Sequence, residues 1–245
     1  MAGLFVRGVL SGIKTTKFPR KVENEPGVTA GFPVSTRMSS SAEASRLARL
    51  CPTGALSASG GEVSVDPRRC IHCYRCAGPG AMNWSINDEQ ARLVSQPTRA
   101  FQRPFQHSMN ILVVDAGDCG ACLNEVRQLN NPFYNMHRLG FFITPTPRNA
   151  DVLLVVGPVT DAMRHPLLSA WEAMPGPKKV ASVGACALRG SVFGPSFTCG
   201  TGVGDLLPVD VEVPGNPPSP LAILHGLLLL AGRNTPSAQM PGETP

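Results

Sequence analysis

The sequence predicts an α/β protein whose larger unit is an open parallel sheet with flanking helices, preceded by a smaller α+β unit. Apolar runs such as DVLLVVG at 151–157 are nearly continuous, which is typical of strands buried on both faces. Helix-like segments alternate with these runs, and the alternation indicates parallel strands joined by crossover connections. A cysteine-rich segment lies upstream and accounts for the smaller unit.

Length and composition allow two domains and favour a covered subunit. The chain has 245 residues, of which 16% are charged, with 25 Gly and 24 Pro, so we expect many turns and little solvated surface. The net charge is +5, but apart from Lys14–Lys21 the basic residues are dispersed, so no nucleic-acid partner is predicted. No window supplies the ~20 apolar residues that a membrane span needs, and Leu221–Ala231 is far too short.

The N-terminal elements divide into an arm, a small domain and a linker. Residues 1–45 are predicted as an arm whose start is either an amphipathic helix on a membrane or partner, or a frayed terminus. A helix over Ala42–Leu50 and a strand–turn–strand over Leu56–Val65 belong to a domain at 46–84. Residues 85–109 are predicted as a linker, and residues 234–245 as a disordered tail.

The main domain, residues 110–233, is predicted as an open, flavodoxin-like sheet. Four strands and three helices are expected, with a glycine-rich loop after the third strand: strands Asn110–Asp115, Ala150–Gly157, Lys179–Val183 and Leu207–Val213; helices Cys122–Asn130, Thr160–Met174 and Pro220–Ala231.

The eight cysteines predict metal or iron–sulfur ligation rather than disulfides, since two clusters have CxxC spacing and no secretory signal is evident. The CIHCYRC segment at 70–76, with the upstream Cys51-Pro52, is similar to bacterial ferredoxins. In that pattern a second cluster would need cysteines at the positions that here hold Ser41, Ala44, Leu47 and Gly80. The other ligand set is complete, namely Cys51, Cys70, Cys73 and Cys76. The resemblance therefore implies a ferredoxin-like domain with one 4Fe-4S cluster.

A structural zinc site is the alternative for these four cysteines, because four thiolates also suit tetrahedral zinc. Zinc sites usually pair two CxxC turns, whereas CxxCxxC places three thiols on one tight loop, which favours the iron–sulfur cluster.

A second set of thiols follows strands of the predicted sheet. Cys119 and Cys122 follow the first strand, Cys186 follows the third, and the PGNPPSP loop follows the last. Because the carboxyl ends of parallel strands share one edge, these groups are expected to meet at one crevice.

This half resembles the small subunit of membrane-bound, complex I-like (group 4) nickel-iron hydrogenases and the homologous B-like subunit of NADH-quinone oxidoreductase. The resemblance rests on CGACLNE, TPTPRNADVLLVVGPVTDAM, SVGAC and PVDVEVPGNPPSP. The start, LFVRGVLSGIKTTKFPR, looks like that of the complex-I-type ferredoxin subunit. Two parts that are usually separate subunits are fused in this chain.

The resemblance implies a proximal cluster held by Cys119, Cys122 and Cys186. The CxxC form, followed by Glu125, looks more like a hydrogenase subunit than like its quinone oxidoreductase homologue, which has adjacent cysteines. In the family this glutamate lies at the interface with the nickel-bearing large subunit and is implicated in proton transfer. The alternative is that Glu125 is an acid in the first turn of a helix, favoured there by the helix dipole.

The sequence departs from the family at Asn216, which replaces the cysteine of the PGCPP turn that supplies the fourth ligand. A neutral amide is a poor iron ligand beside thiolates. Three outcomes stay open. A 4Fe-4S cluster has an unusual fourth ligand (Asn216, water or Cys199), a 3Fe-4S cluster is bound by three thiolates, or the thiols hold no cluster.

Three other residues are candidates for minor roles. Arg148 and Arg164 match basic family positions and either contact a partner or a quinone-like cavity, or are solvated. His72, between cluster cysteines, either tunes the reduction potential or faces solvent.

The resemblance implies an iron–sulfur electron-transfer subunit that acts in catalysis only within a complex. The expected partners are a hydrogenase large subunit or a quinone oxidoreductase D-like subunit, membrane subunits, and a soluble electron carrier, with the chain on the cytoplasmic, inner face of the cell membrane. The alternatives are a structural or assembly subunit that has lost its second cluster, and a zinc-stapled interaction module.

Overall fold

The computed structural model describes residues 2–233 apart from 22, 24–26, 79–80, 95–100 and 102. The chain begins with helix α1, Ala2–Ser11, so its start is helical rather than frayed. Leu4 and Leu10 on this helix are 84% and 80% exposed. The predicted tail at 234–245 lies outside the described residues. Among the described helices, none has the length and apolarity to cross a membrane.

The small unit consists of short strands and one helix. Its elements are β1 (Phe32–Pro33), β2 (Thr36–Arg37), α2 (Ser41–Leu50), β3 (Leu56–Ser59), β4 (Glu62–Val65) and β5 (Trp84–Ser85). Strands β2, β4 and β3 form an antiparallel sheet, and β1 pairs with β5. Ser40 caps α2 by accepting a hydrogen bond from the backbone N–H of Glu43 at 3.2 Å. The predicted helix and strand–turn–strand are confirmed.

The core of this unit occupies part of the space that a two-cluster ferredoxin would use for its other cluster. Ala44 and Leu47, two of the positions lacking cysteine, are 0% and 5% exposed. They pack with Val63, Cys76 and Met82 in one apolar cluster. Hydrophobic side chains therefore fill these positions, whereas the fourth such position, Gly80, lies outside the described residues.

The rest of the chain forms a six-stranded sheet with helices on both faces. Its elements are β6 (Arg92–Leu93), β7 (Met109–Asp115), α3 (Ala121–Gln128), β8 (Phe141–Ile143), β9 (Val152–Val156), α4 (Asp161–Ala173), β10 (Lys179–Val183), α5 (Ala185–Arg189), β11 (Val211–Val213) and α6 (Pro220–Leu230).

The strand order is β6-β11-β10-β9-β7-β8. Strands β7 to β11 are parallel, and β6 is an antiparallel edge strand on β11. The parallel part has the flavodoxin-like order, and the chain direction across the sheet reverses between β7 and β9. The predicted open α/β fold is confirmed. Ligands of such sheets bind beyond the carboxyl ends of the strands at this reversal point.

Both faces of the sheet are covered. Helices α3 and α6 pack on one face through residues such as Val126 and Leu224, and α4 and α5 pack on the other through Leu167 and Ala187. Helix α6 is apolar on almost every side, and nearly all of its residues are buried. Such a helix belongs in a protein core, so its 11 residues are explained without a membrane.

Several elements differ from the sequence prediction. Strands β1 and β2 lie in the predicted arm and β5 lies at the start of the predicted linker, and each is only two residues long. Strand β8 is not predicted, because three residues are too few for a periodic signal. Strand β6 lies in the segment where no element is predicted, and it is equally short. The loop predicted after β10 is wrong, since residues there form the short helix α5 between Gly184 and Gly190.

Candidate cluster-binding sites

The four cysteines of the small unit line one cavity. Cys51 is the C-cap residue of α2, and Cys70 ends a 3-10 helix over Pro67–Arg69. The loop that follows winds through left-handed backbone at His72 and Tyr74, with φ of 53° and 57°. The cavity is lined by Pro33, Cys51, Thr53, Ala55, Leu56, Cys70, Ile71, Cys73, Tyr74, Arg75, Cys76 and Trp84. The structure thus brings together the four cysteines predicted as ligands of the N-terminal cluster.

The thiols of this cavity differ in environment. Burial raises the pKa of Cys70 to about 12, opposed by the backbone N–H of His72, and the neighbouring Cys76, Cys51 and Cys73 raise it further. At Cys51 burial acts in the same direction, but hydrogen bonds outweigh it and leave the pKa of this thiol lowered. One of them is donated by the Ala55 N–H to the sulfur at 3.2 Å. N–H donors aimed at cysteine sulfur are a known means of tuning an iron–sulfur cluster.

Trp84 provides a test of whether this cavity suits a sulfur-rich group. Its indole ring stacks on Tyr74 with centroids 4.3 Å apart, and its buried Nε1 has no hydrogen-bond partner among the described residues. The same N–H lies near enough to Cys76 to oppose the rise in the pKa of that thiol caused mainly by burial. A buried donor facing sulfur is satisfied by a thiolate or cluster sulfide, so the cavity fits an iron–sulfur cluster.

Among the described residues, no three His, Cys, Asp or Glu side chains converge closely enough to hold one metal ion. Zinc would draw four sulfurs to about 2.3 Å from one atom. A 4Fe-4S cluster makes a different demand, because each thiolate binds a different iron.

The second thiol set begins in a loop ordered by two aspartates. Asp115 Oδ1 accepts hydrogen bonds from the N–H groups of Gly117 and Asp118 at 2.9 and 2.7 Å. Asp118 Oδ2 accepts from those of Gly120 and Leu123, each at 3.0 Å. These bonds shape the turn between β7 and α3, so that Cys119 is exposed at its rim and Cys122 is buried beneath it.

The ends of β10 and β11 close the other side of this crevice. The Gly184 N–H donates to Val213 O at 2.9 Å, and the Ala185 N–H donates to Gly215 O at 2.7 Å. A Cβ at Gly184 would lie 2.5 Å from the sulfur of Cys122. Only glycine allows that sulfur to approach so closely, and this approach brings Cys122 beside the strand end that leads into Cys186.

The pKa shifts of Cys122 and Cys186 are those expected if these two thiols and Cys119 are neighbours. Burial raises the pKa of Cys122, and Asp118, Cys186 and Cys119 raise it further. Burial likewise raises the pKa of Cys186, partly opposed by the Val192 N–H. The structure therefore brings Cys119, Cys122 and Cys186 to one crevice beyond the strand ends. The chemistry of three thiols in this glycine-lined crevice fits an iron–sulfur cluster with three firm ligands.

Two candidates for a fourth ligand border the same crevice. Asn216 follows Gly215, is half-buried, and makes no side-chain hydrogen bond to the described residues. Cys199 is 7% exposed, and its sulfur lies 3.2 Å from Ser196 Oγ. Cys199 is also close enough to Cys186 to raise the pKa of that thiol.

Glu125 is not a first-turn residue. Helix α3 begins at Ala121, and no acid lies in its first turn, so the interpretation of Glu125 as a dipole-stabilised helix start is wrong. The side chain is half-buried, and burial raises its pKa. Glu125 in turn adds to the rise in the pKa of Tyr134 that burial causes.

Residues next to each thiol set line one cleft. Pro52 and Thr53, which follow Cys51, line it together with Ala185, which precedes Cys186. Arg68 and Arg189 also border this cleft, whose volume is about 300 Å³. The two candidate sites are therefore adjacent in the fold.

The remaining candidates behave differently. Arg148 and Arg164 are exposed, which agrees with solvated side chains. His72 does not face solvent, because its ring packs edge-on against Phe32 at 4.5 Å and its Nε2 is buried. Sequence reasoning missed Trp84, since a single tryptophan 8 positions beyond Cys76 belongs to no motif.

Comparisons with known proteins show what this chain is similar to. The family described as NADH ubiquinone oxidoreductase, 20 Kd subunit, matches residues 119–230. Formate hydrogenlyase subunit 7 of Escherichia coli is 38% identical over 143 residues, 58% of this chain and 56% of that protein. The probable membrane-bound hydrogenase subunit mbhJ of Pyrococcus furiosus is 42% identical over 116 residues, 47% of this chain and 70% of that protein. An uncharacterized protein of Methanocaldococcus jannaschii is 40% identical over 126 residues, 51% of this chain and 84% of that protein. The chain thus spans little more than half of the formate hydrogenlyase subunit.

Proposed function

Because the chain belongs to the NADH ubiquinone oxidoreductase 20 Kd subunit family, the small electron-transfer subunits of hydrogenases and complex I-like complexes, we propose that it relays electrons between two iron–sulfur clusters in one chain. One is a 4Fe-4S cluster bound by Cys51, Cys70, Cys73 and Cys76. The other is a proximal 4Fe-4S or 3Fe-4S cluster bound by Cys119, Cys122 and Cys186.

The observation that carries this proposal is one cleft lined by sequence neighbours of both thiol sets. The Pro52–Thr53 turn and the start of α5 at Ala185 line this cleft. Electron transfer requires no bond between donor and acceptor, but its rate falls steeply with their separation. The proximity of segments that adjoin the two thiol sets supports an electron relay between them.

The residues of the chain supply ligands, donors and shielding rather than bond chemistry. When bound, the clusters supply one-electron carriers. The Ala55 N–H and the Trp84 indole N–H are placed to stabilise negative charge on sulfur, which favours the reduced state. The buried Cys122 excludes water from the proximal site, and Glu125, three residues further on, holds a proton more readily than an exposed glutamate.

The family supports a proposal for the wider assembly. We propose that the proximal site faces a hydrogenase large subunit or a quinone oxidoreductase D-like subunit, with Glu125 as a proton-transfer group at that interface. Membrane subunits and a soluble electron carrier complete the complex, and the chain lies on the cytoplasmic, inner face of the cell membrane. The names of two relatives, a formate hydrogenlyase subunit and a membrane-bound hydrogenase subunit, support a multisubunit membrane complex.

A second candidate function is favoured by Asn216. If the missing thiolate abolishes binding at the proximal site, the chain is a structural or assembly subunit with one cluster.

Iron and acid-labile sulfide counts after anaerobic purification separate these functions. About eight irons per chain support two 4Fe-4S clusters, about seven a three-iron proximal site, and about four the structural alternative. Zinc in place of iron would contradict the relay. Cys122→Ser should remove only the proximal iron. Cys73→Ser is the matched variant at the other site and should remove only the N-terminal iron.

A further inference from the structure

An ion pair joins the loop that leads into one candidate cluster site to the strand that leads into the other. Arg68 lies in the 3-10 helix that ends at Cys70, and Glu212 lies on β11, which leads into the Asn216 turn. Their Nη2 and Oε1 atoms are 2.8 Å apart, with side chains 37% and 8% exposed. We propose that this Arg68–Glu212 pair is a positioning clamp that sets the separation of the two clusters and thereby the rate of electron transfer between them. This inference rests on the proposed function.

The clamp is attached rigidly at both ends. Glu212 is held in register, opposite Ser182 of β10 and Arg92 of β6. Arg68 sits in a turn capped by Asp66, whose Oδ1 accepts the Arg68 N–H at 3.0 Å. A shift at either end of the pair is therefore passed to a cysteine loop a few residues away.

Apolar packing does not fix the interface around the pair. Arg68 lines the cleft of about 300 Å³ on one side. Together with Glu212 it also lines a second cavity, of about 570 Å³, on the other. The fully buried hydroxyl of Ser182 borders this second cavity and has no partner among the described residues. With open space on both sides of the pair, the two units can shift relative to each other without a steric clash. A directional contact is therefore needed to hold the units at one separation.

An ion pair suits this role better than an apolar contact. Partly buried pairs add little stability over hydrophobic groups of the same volume, because both charges lose water. A charge-assisted hydrogen bond at 2.8 Å nevertheless accepts a narrow range of distances and angles. Other contacts between the units involve the connecting segment, such as the hydrogen bond from Ser219 Oγ to Asp88 Oδ1 at 2.7 Å. The Arg68–Glu212 pair differs because Arg68 belongs to the cysteine loop itself.

The test compares Glu212→Gln, Arg68→Met and the double variant in the full chain, purified anaerobically. The control is Lys179→Met, which breaks the Lys179–Asp210 pair at 2.9 Å, also in the α/β domain but away from the cleft. Pulsed dipolar EPR of the reduced clusters reports their separation. Hydrogen exchange at residues 84–94 reports the connection between the units.

We expect each single variant to broaden and lengthen the inter-cluster distance and to slow intramolecular electron transfer after rapid reduction. Exchange at 84–94 should be about tenfold faster, as for loss of one charge-assisted hydrogen bond. The double variant should match the single ones, because the residues act as a pair. Unchanged distances and exchange in the single variants, or equal changes in Lys179→Met, would overturn the clamp.

The failure of the relay and that of the clamp are distinguishable. If the parent protein contains about four irons, the relay is wrong and no second spin is present. Hydrogen exchange at 84–94 then decides whether the pair holds the two units in place: a faster rate in both single variants but not in the control supports that role, and an unchanged rate contradicts it.

Discussion

Asn216 is the residue on which the proximal site depends most. Its half-buried amide has no hydrogen bond to the described residues, and it occupies the turn held by Ala185 and Gly215. We expect Asn216→Cys to supply a fourth thiolate, which raises the iron content by about one if the parent site holds three irons. If the parent already holds four, the added negative charge should lower the reduction potential of the proximal cluster. Iron analysis and EPR-monitored redox titration measure both effects.

Cys199→Ala is the companion variant, because this buried thiol is the other protein candidate for the fourth ligand. It should leave the proximal cluster unchanged both alone and in the Asn216→Cys background. Loss of iron in Cys199→Ala, restored by Asn216→Cys, would show instead that Cys199 is the ligand in the parent protein.

At the scale of single elements, the turn from β10 into α5 is the tightest part of the crevice. A Cβ at Gly184 would lie 2.5 Å from the Cys122 sulfur, at a φ of 92°. We expect Gly184→Ala to displace that sulfur and remove the proximal iron while the N-terminal cluster stays. Gly194→Ala is matched, since Gly194 has the same φ of 92° but nothing within 4 Å. Equal iron loss in both variants would mean that backbone strain, not the sulfur contact, is responsible.

Helix α6 carries a buried histidine that should make stability depend on pH. His225 is 5% exposed, its Nδ1 accepts the Ala91 N–H at 3.2 Å, and burial lowers its pKa to about 4. Between about pH 6.5 and 4 the unfolded chain binds a proton at this histidine that the folded chain does not bind. The free energy of unfolding therefore decreases as the pH is lowered, by about 1.4 kcal/mol per pH unit. Burial raises the pKa of Asp88, so the folded chain binds a proton there before the unfolded chain does as the pH is lowered. Asp88 therefore offsets part of the loss of stability at the acidic end of this range.

The prediction for His225→Gln is therefore a shallower acid dependence of the free energy of unfolding. Denaturant titrations at pH 7 and pH 5 measure it. His165→Gln, an exposed position on α4, is the control and should keep the parental dependence. An unchanged slope in His225→Gln would assign the acid loss to other groups.

For the molecule as a whole, the sequence predicts what depends on local patterns. Continuous apolar strands were sufficient for the sheet, and CxxC spacing marked five of the candidate thiols. Cys186 was added by its position after a predicted strand, and Cys51 by the resemblance to ferredoxins. Strands β6 and β8 could not be predicted, because two or three residues carry no periodicity. The Arg68–Glu212 pair was equally inaccessible, since it joins distant positions through the fold, and the approach of Trp84 to Cys76 was missed because a lone tryptophan belongs to no motif. Local chemistry is thus readable in the sequence, whereas the relation between the two sites is a tertiary property.

The N-terminal arm is also held by contacts between positions that are distant in the sequence. After the exposed helix α1, the chain crosses to the α/β domain, where the Thr16 N–H donates to Phe133 O at 2.8 Å and the Arg138 guanidinium donates to Phe18 O. Phe18 is 1% exposed within the core of that domain. We expect Phe18→Ala to cost about 3–5 kcal/mol in the free energy of unfolding, because it empties a buried aromatic site. Phe193→Ala, at a fully exposed position, should cost nothing measurable in the same denaturant titration. If both variants match the parent, the arm is not part of the folded core.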